Sequence, residues 1–133
     1  MKTDDPVFKR FLDAAELRVI IQADVPNFTI VAYNDAYKHA TYTRYRDVIG
    51  WYLWEAFDPA RAGSDGYELL LKTLTDAVEK NEFATTHPFR YDIQSEDPGE
   101  IIERWWQVEI RPFVGDTGIP AFLFLKTIPI AEE

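Results

Sequence analysis

Few side chains in this sequence are placed to do chemistry. There are 2 histidines, His39 and His87, and their separation is not that of a metal-ligand pair. There is no cysteine, which removes disulfides, thiolate zinc sites, iron–sulfur clusters and thiol nucleophiles. No metal ligand is therefore predicted. Glu55, Asp58 and Asp65 crowd one stretch. Paired carboxylates can act as acid and base, but Asp58 to Gly66 (DPARAGSDG) reads as a solvated loop, so no catalytic residue is assigned.

The remaining candidates follow from strand parity. Ile101 to Phe113 reads as one long strand, with Ile102, Trp106, Val108 and Ile110 on one face and Glu103, Trp105, Gln107, Glu109 and Arg111 on the other. Arg104 shares the parity of Trp106. Turned inward, it would need a partner, because a buried unpaired charge is costly, and it could grip a ligand carboxylate in bidentate fashion. The plainer reading puts it near the strand's end, reaching solvent. Phe89, Tyr91, Ile93, Leu123 and Leu125 join the inner face. These rings and branched chains either line a pocket for a small apolar or aromatic ligand or fill the space completely. The candidate ligand-binding set is Phe89, Tyr91, Arg104, Trp106, Val108, Ile110 and Leu123. On the outer face, Trp105 needs cover, either from the N-terminal helix through Phe8 and Phe11 or from a second copy of the chain.

The elements that carry these residues can be read in order. Pro6 to Leu17 has apolar residues at helical spacing, with Asp5 as a possible cap and Pro6 at the first helical position. Arg18 to Ala23 and Phe28 to Tyr33 are β-rich runs around a turn at Asp24, Pro26 and Asn27. Asn34 is a good N-cap for a short helix to about Thr41. Tyr45 to Ile49 reads as a helical piece stopped by Gly50, and Trp51 to Phe57 as one further turn. Tyr67 to Lys80 is the longest helix, with Leu70, Leu71, Leu74, Ala77 and Val78 on one stripe. Thr85 to Ile93, Ile101 to Phe113 and Ile119 to Ile128 are strands, the last two joined by a Gly115–Gly118 hairpin and the first two by a loop with a Pro98-Gly99 turn pair. Strands at both ends with helices between predict an α+β domain, one antiparallel sheet with helices on one face.

The bulk properties agree. At 133 residues there is room for one domain, and 47% hydrophobic with 15% aromatic content supplies a core without staples. The net charge of −9 argues against nucleic acid. No apolar run is long enough to span a membrane, so no membrane contact by this segment is expected. Met1 to Phe11 lacks the apolar core of a signal peptide, and the absence of cysteine fits a cytoplasmic location.

Several segments together resemble the PAS domain. Phe28 to Tyr37 (FTIVAYNDAY) is similar to the family's second strand running into an Asn that starts the first short helix. Arg46-Asp47-Val48-Ile49-Gly50, followed by Trp54 to Phe57, resembles its "D-[IV]-[IL]-G" step. Tyr91-Asp92-Ile93 resembles the start of the third strand, and Glu103 to Trp106 with Pro112 and Gly118 the fourth strand and hairpin. The likeness covers about residues 17 to 128 and is greatest to the PAS domains of bacterial sensor histidine kinases. It implies a five-stranded antiparallel sheet in the order 2-1-5-4-3, a flanking helix over residues 1–16 and a single PAS domain over residues 17–130. It also implies ligands between the inner face and the long helix, and signals leaving through the outer face.

Two departures stand out. The family's Asp-x-Thr ending falls on Pro129 and Ala131, and Ile110 stands where the subgroup tends to carry Asn. The resemblance implies a sensory or protein-interaction module of two-component signalling, a homodimer that binds an unknown small molecule or a partner and performs no catalysis itself. Haem is disfavoured because the long helix has no histidine, and flavin because the photochemical type needs a cysteine. The competing readings are a cone-shaped α+β enzyme of ketosteroid-isomerase type, which would need an acid–base pair in its cavity, and a ligand-free structural interaction domain.

Overall fold

The computed structural model describes residues 6–43, 46–62, 66–97 and 99–130. Its elements are α1 (Pro6–Leu12), β1 (Leu17–Gln22), β2 (Ile30–Tyr33), α2 (Asp35–Ala40), α3 (Leu53–Ala56), α4 (Pro59–Ala62) and α5 (Gly66–Lys80), then β3 (Ala84–Thr85), β4 (Phe89–Arg90), β5 (Ile93–Gln94), β6 (Ile101–Ile102), β7 (Trp105–Val114) and β8 (Pro120–Ile130). The main sheet runs β2-β1-β8-β7-β3, with β4 also on β7. All its pairings are antiparallel. This is the expected 2-1-5-4-3 order, with β3 and β4 together in the third place.

The third strand is broken where a continuous one was expected. The Thr86 hydroxyl accepts from Val108 N at 3.0 Å while Thr86 N donates to Val108 O, so a side chain replaces one ladder carbonyl. Pro88 then has no N–H to offer. The buried Asp92 carboxylate accepts from Arg90 Nε at 3.0 Å and Nη2 at 2.8 Å, and from the backbone N–H of Arg104 at 3.3 Å. That last bond separates β6 from β7 inside the expected long strand, and β5 and β6 form a sheet of their own. The expected helix at Tyr45–Ile49 is also absent over its described part. Asp47 Oδ1 accepts from Ile49 N at 3.0 Å, a local turn that competes with helix. Asp5, Tyr45, Asp65, Pro98 and Ala131 lie outside the described residues.

Two apolar layers flank the sheet. Between the sheet and α2–α5 lie Val19, Ile21, Leu74, Trp106, Val108, Ile110, Leu123 and Leu125. Gly66 opens α5 against β4: a Cβ there would press into the Arg90 carbonyl oxygen and sit 2.6 Å from Phe89 Cδ2. No larger residue allows that approach. On the other face α1 lays Phe8 on Ile20, Phe122 and Phe124. Phe8 meets Phe122, Phe124 and Phe113 edge-on, with centroids 5.0, 5.4 and 6.1 Å away.

Asn34 ties the two halves of this arrangement together. As the N-cap of α2, its Oδ1 accepts from Tyr37 N at 3.0 Å and from Arg18 N at 3.2 Å. Its Nδ2 faces the carbonyls of Glu16, Leu12 and Ala14 at 2.7, 3.2 and 3.2 Å. One amide thus caps a helix and holds the chain leaving α1. Asn34→Ala is expected to destabilise the fold by about 1–3 kcal/mol. Asn34→Asp should cost no less, because a carboxylate oxygen would face three carbonyls. Urea denaturation checks both.

Candidate functional site

A cavity of about 60 Å³ lies between the sheet and the helices. Phe89, Tyr91, Trp106 and Val108 line it from the sheet, four of the seven residues expected there. Ile110 and Leu123 are fully buried and pack in the core away from the cavity. Leu125 and Thr127 complete the sheet wall, and Leu53, Trp54, Phe57 and Leu70 form the helical wall. Trp106 is fixed in place, its Nε1 donating to Tyr91 O at 2.8 Å. Tyr91 in turn donates its hydroxyl to Phe57 O at 2.5 Å, and burial raises its pKa.

Tyr37, outside the candidate ligand-binding set of the sequence, lines this cavity with Thr41. It is 5% exposed, and burial raises its pKa, so the hydroxyl stays protonated. A tyrosine on the apolar stripe of a short helix was the available signal. The Thr41 hydroxyl is already engaged, donating to Tyr37 O at 2.6 Å.

Arg104 stands outside the cavity, in a neighbouring hollow of about 270 Å³ with His39, Tyr42 and Glu96. Parity allowed it an inward position, but it takes the plainer one expected for it, near the strand's end and beside Glu103, at the break between β6 and β7. Its Nη2 donates to Tyr42 Oη at 3.2 Å and its Nη1 to Glu103 O at 3.0 Å. Tyr42 has φ +58°, a conformation that side chains rarely adopt and that costs free energy. Trp106 lines both spaces, and Pro129 closes the hollow.

Two of the carboxylates noted in the sequence accept local backbone bonds. Glu55 Oε1 accepts from Tyr52 N at 2.9 Å, and Asp58 Oδ1 from Ala60 N at 2.9 Å, both at helix starts. Among the described residues, no acidic or histidine side chain lines the cavity. Among the described residues, no three metal-ligating side chains cluster, and no helix is long and apolar enough to cross a membrane.

The outer-face expectation is corrected in part. Phe8 and Phe11 do pack on the sheet, but over Phe113, Phe122 and Phe124. Phe113 pairs with Phe122, whereas Trp105 pairs with Ile130 at the far end of the same two strands. The eight intervening steps span roughly 26 Å, so α1 leaves Trp105 uncovered. Trp105 is half-buried, and its Nε1 is buried with no hydrogen-bond partner among the described residues.

No protein-family model and no curated protein matches the sequence. Solved structures do match. A light-oxygen-voltage domain studied with a flavin analogue superposes with a TM-score of 0.71 at 16% identity, over 98% of this chain and 88% of that one. The Rhodobacter sphaeroides LOV protein gives 0.69 at 10% identity, over 98% and 70%. The PAS-B domain of Drosophila melanogaster Cycle, with bound glycerol, gives 0.65 at 13% identity, over 86% and 99%. The fold is the PAS fold. The cavity described above is therefore the space between a PAS sheet and its helices.

These likenesses overturn one expectation. Flavin was disfavoured because the chain has no cysteine, yet several similar structures are light-oxygen-voltage domains. The physical error is plain. A thiol is needed to form a bond to a flavin ring, but holding the ring needs only an apolar slot and a few polar partners.

Proposed function

We propose that this PAS-fold domain is a sensory module that takes a flat, mostly apolar small molecule into the cavity beside Trp106. The observation that carries this reading is an apolar cavity between the sheet and the helices, lined by aromatic side chains of which Trp106 and Tyr91 are held in place by hydrogen bonds. Phe89, Tyr91, Trp106 and Val108 would supply the contact surface. Arg104, in the adjoining hollow, would meet an anionic group on a ligand that reaches past Trp106.

A flavin is one candidate. The aromatic walls suit the faces of its ring system, but the volume does not hold it in this conformation. A dry cavity of ~150 Å³ admits benzene, and this one measures about 60 Å³. Three fused rings would require Trp54, Phe57 and Leu70 to move outward. With no cysteine in the chain, a bound flavin would form no bond to a cysteine sulfur. The absence of an acid–base pair from the cavity lining supports reception over a ketosteroid-isomerase type of catalysis. The small volume is the observation favouring the second reading, a ligand-free interaction domain. The finer assignment, a homodimer within a cytoplasmic two-component protein, rests on the sequence resemblance alone.

Native mass spectrometry of protein purified from cells, with its visible absorbance, tests the proposal. A retained small molecule supports it, and a flavin spectrum names the ligand. Thermal-shift titration with riboflavin and with simple aromatic acids is the second arm. A ligand at a hundredfold excess over its Kd stabilises by about 2.7 kcal/mol, several degrees in Tm. Tyr37→Phe should keep the fold and weaken a ligand that bonds the hydroxyl by about tenfold. An empty protein with no shift in the panel would favour the ligand-free reading.

A further inference from the structure

On the sheet's outer face, beside α1, lies a groove of about 580 Å³ whose charge opposes that of the molecule. The chain has 14 basic and 23 acidic residues, yet among the described residues Arg10, Arg18, Arg111 and Lys126 line this groove against the carboxylate of Glu109 alone. Glu16, just outside it, answers two of the cations, at 2.7 Å from Arg18 and 2.6 Å from Lys126. Arg10 and Arg111 are exposed and have no carboxylate partner among the described residues. The floor is aromatic. Phe113 and Phe124 stack at 5.2 Å with planes 7° apart. At one edge Phe83 is 54% exposed, with the Arg111 guanidinium 6.0 Å from its ring centroid.

We infer that this groove docks an acidic, aromatic-bearing peptide segment of a partner protein. Exposed arginines flanking an aromatic floor suit alternating carboxylates and rings, the charges steering the encounter and the rings supplying buried area. A nucleic acid suits it less well. A long polyanion would run off the groove onto a surface that is net −9 overall. The groove lies on the opposite side of the sheet from the cavity, so this inference stands whether or not the cavity takes a ligand.

Fluorescence anisotropy with the full chain tests it. The probe is a labelled ten-residue peptide alternating Glu or Asp with Phe and Leu. Its controls are the same peptide with Gln and Asn, a single-stranded oligonucleotide, and anionic phospholipid vesicles. The acidic peptide should bind, weaken as salt rises, and lose about tenfold in affinity to the double variant Arg10→Glu, Arg111→Glu. Both residues are exposed, so the variant should keep the parent's urea midpoint. Phe83→Ala should weaken the aromatic peptide and leave an all-Glu peptide unchanged. Absence of binding, equal binding of the neutral peptide, insensitivity to the double variant, or preference for oligonucleotide or vesicle would overturn the inference. So would self-association in sedimentation that the double variant abolishes, which would assign the groove to a second copy of this chain.

Discussion

Trp106→Ala is expected to destabilise the domain by about 3–5 kcal/mol and to merge the cavity with the hollow beside it. The indole is 5% exposed and is the one side chain that lines both the cavity of about 60 Å³ and the hollow of about 270 Å³. Its removal also strands the Tyr91 carbonyl, which now accepts from Nε1 at 2.8 Å. Part of the cost is therefore a lost hydrogen bond and part a void. Trp106→Phe separates them, since it keeps most of the volume and should cost about 1–3 kcal/mol. Indole added to the alanine variant should restore part of its stability in proportion to occupancy. Urea denaturation with and without indole measures this. A variant that indole leaves unchanged would mean the space had collapsed.

Phe8→Ala should cost a similar amount, about 3–5 kcal/mol, on the other side of the sheet. Phe8 is fully buried and meets three phenylalanine rings. Such edge-on pairs contribute beyond the area they bury. Two outcomes differ in what they say about α1. If α1 folds as one unit with the sheet, the whole loss appears in the urea midpoint. If α1 detaches first, the midpoint moves less, while hydrogen exchange in residues 7–12 rises steeply. Phe11, half-buried and 4.7 Å from the Phe124 ring, should show the same pattern at smaller amplitude.

Much of this architecture is legible in the sequence because it rests on local rules. The alternation around Trp106, Val108 and Ile110 places the inner face correctly, since a one-residue slip would turn every apolar chain to water. Asn34 is readable as a helix cap because its chemistry is local. Its grip on the carbonyls of Leu12, Ala14 and Glu16 is not, because those contacts cross the sheet edge. Parity assigns Trp105 to a face but says nothing of its position along the strand, and that position decides whether α1 reaches it. Thr86 and Asp92 break the third strand and the start of β7 with side-chain bonds that no periodicity reveals. Arg104 leaves the cavity for the same reason. Tyr37 is not legible as a cavity wall because the face that a six-residue helix turns to the sheet is set only when the helix docks. The groove beside α1 needs Arg10, Arg18, Arg111 and Lys126 from four elements, so only the fold assembles it.

The Asn34 amide also works as a length gauge. The carbonyls of Leu12, Ala14 and Glu16 reach it at a two-residue rhythm, and Arg18 N closes the series. Inserting one residue between Leu12 and Glu16 would put the wrong carbonyls before the amide and rotate α1 off its phenylalanine seat. A reporter protein grafted through a rigid helix onto α1 would thus inherit a fixed angular phase relative to the sheet. Grafts that vary the helix by one residue at a time should show a periodic response, whereas changes within residues 12–16 should abolish it.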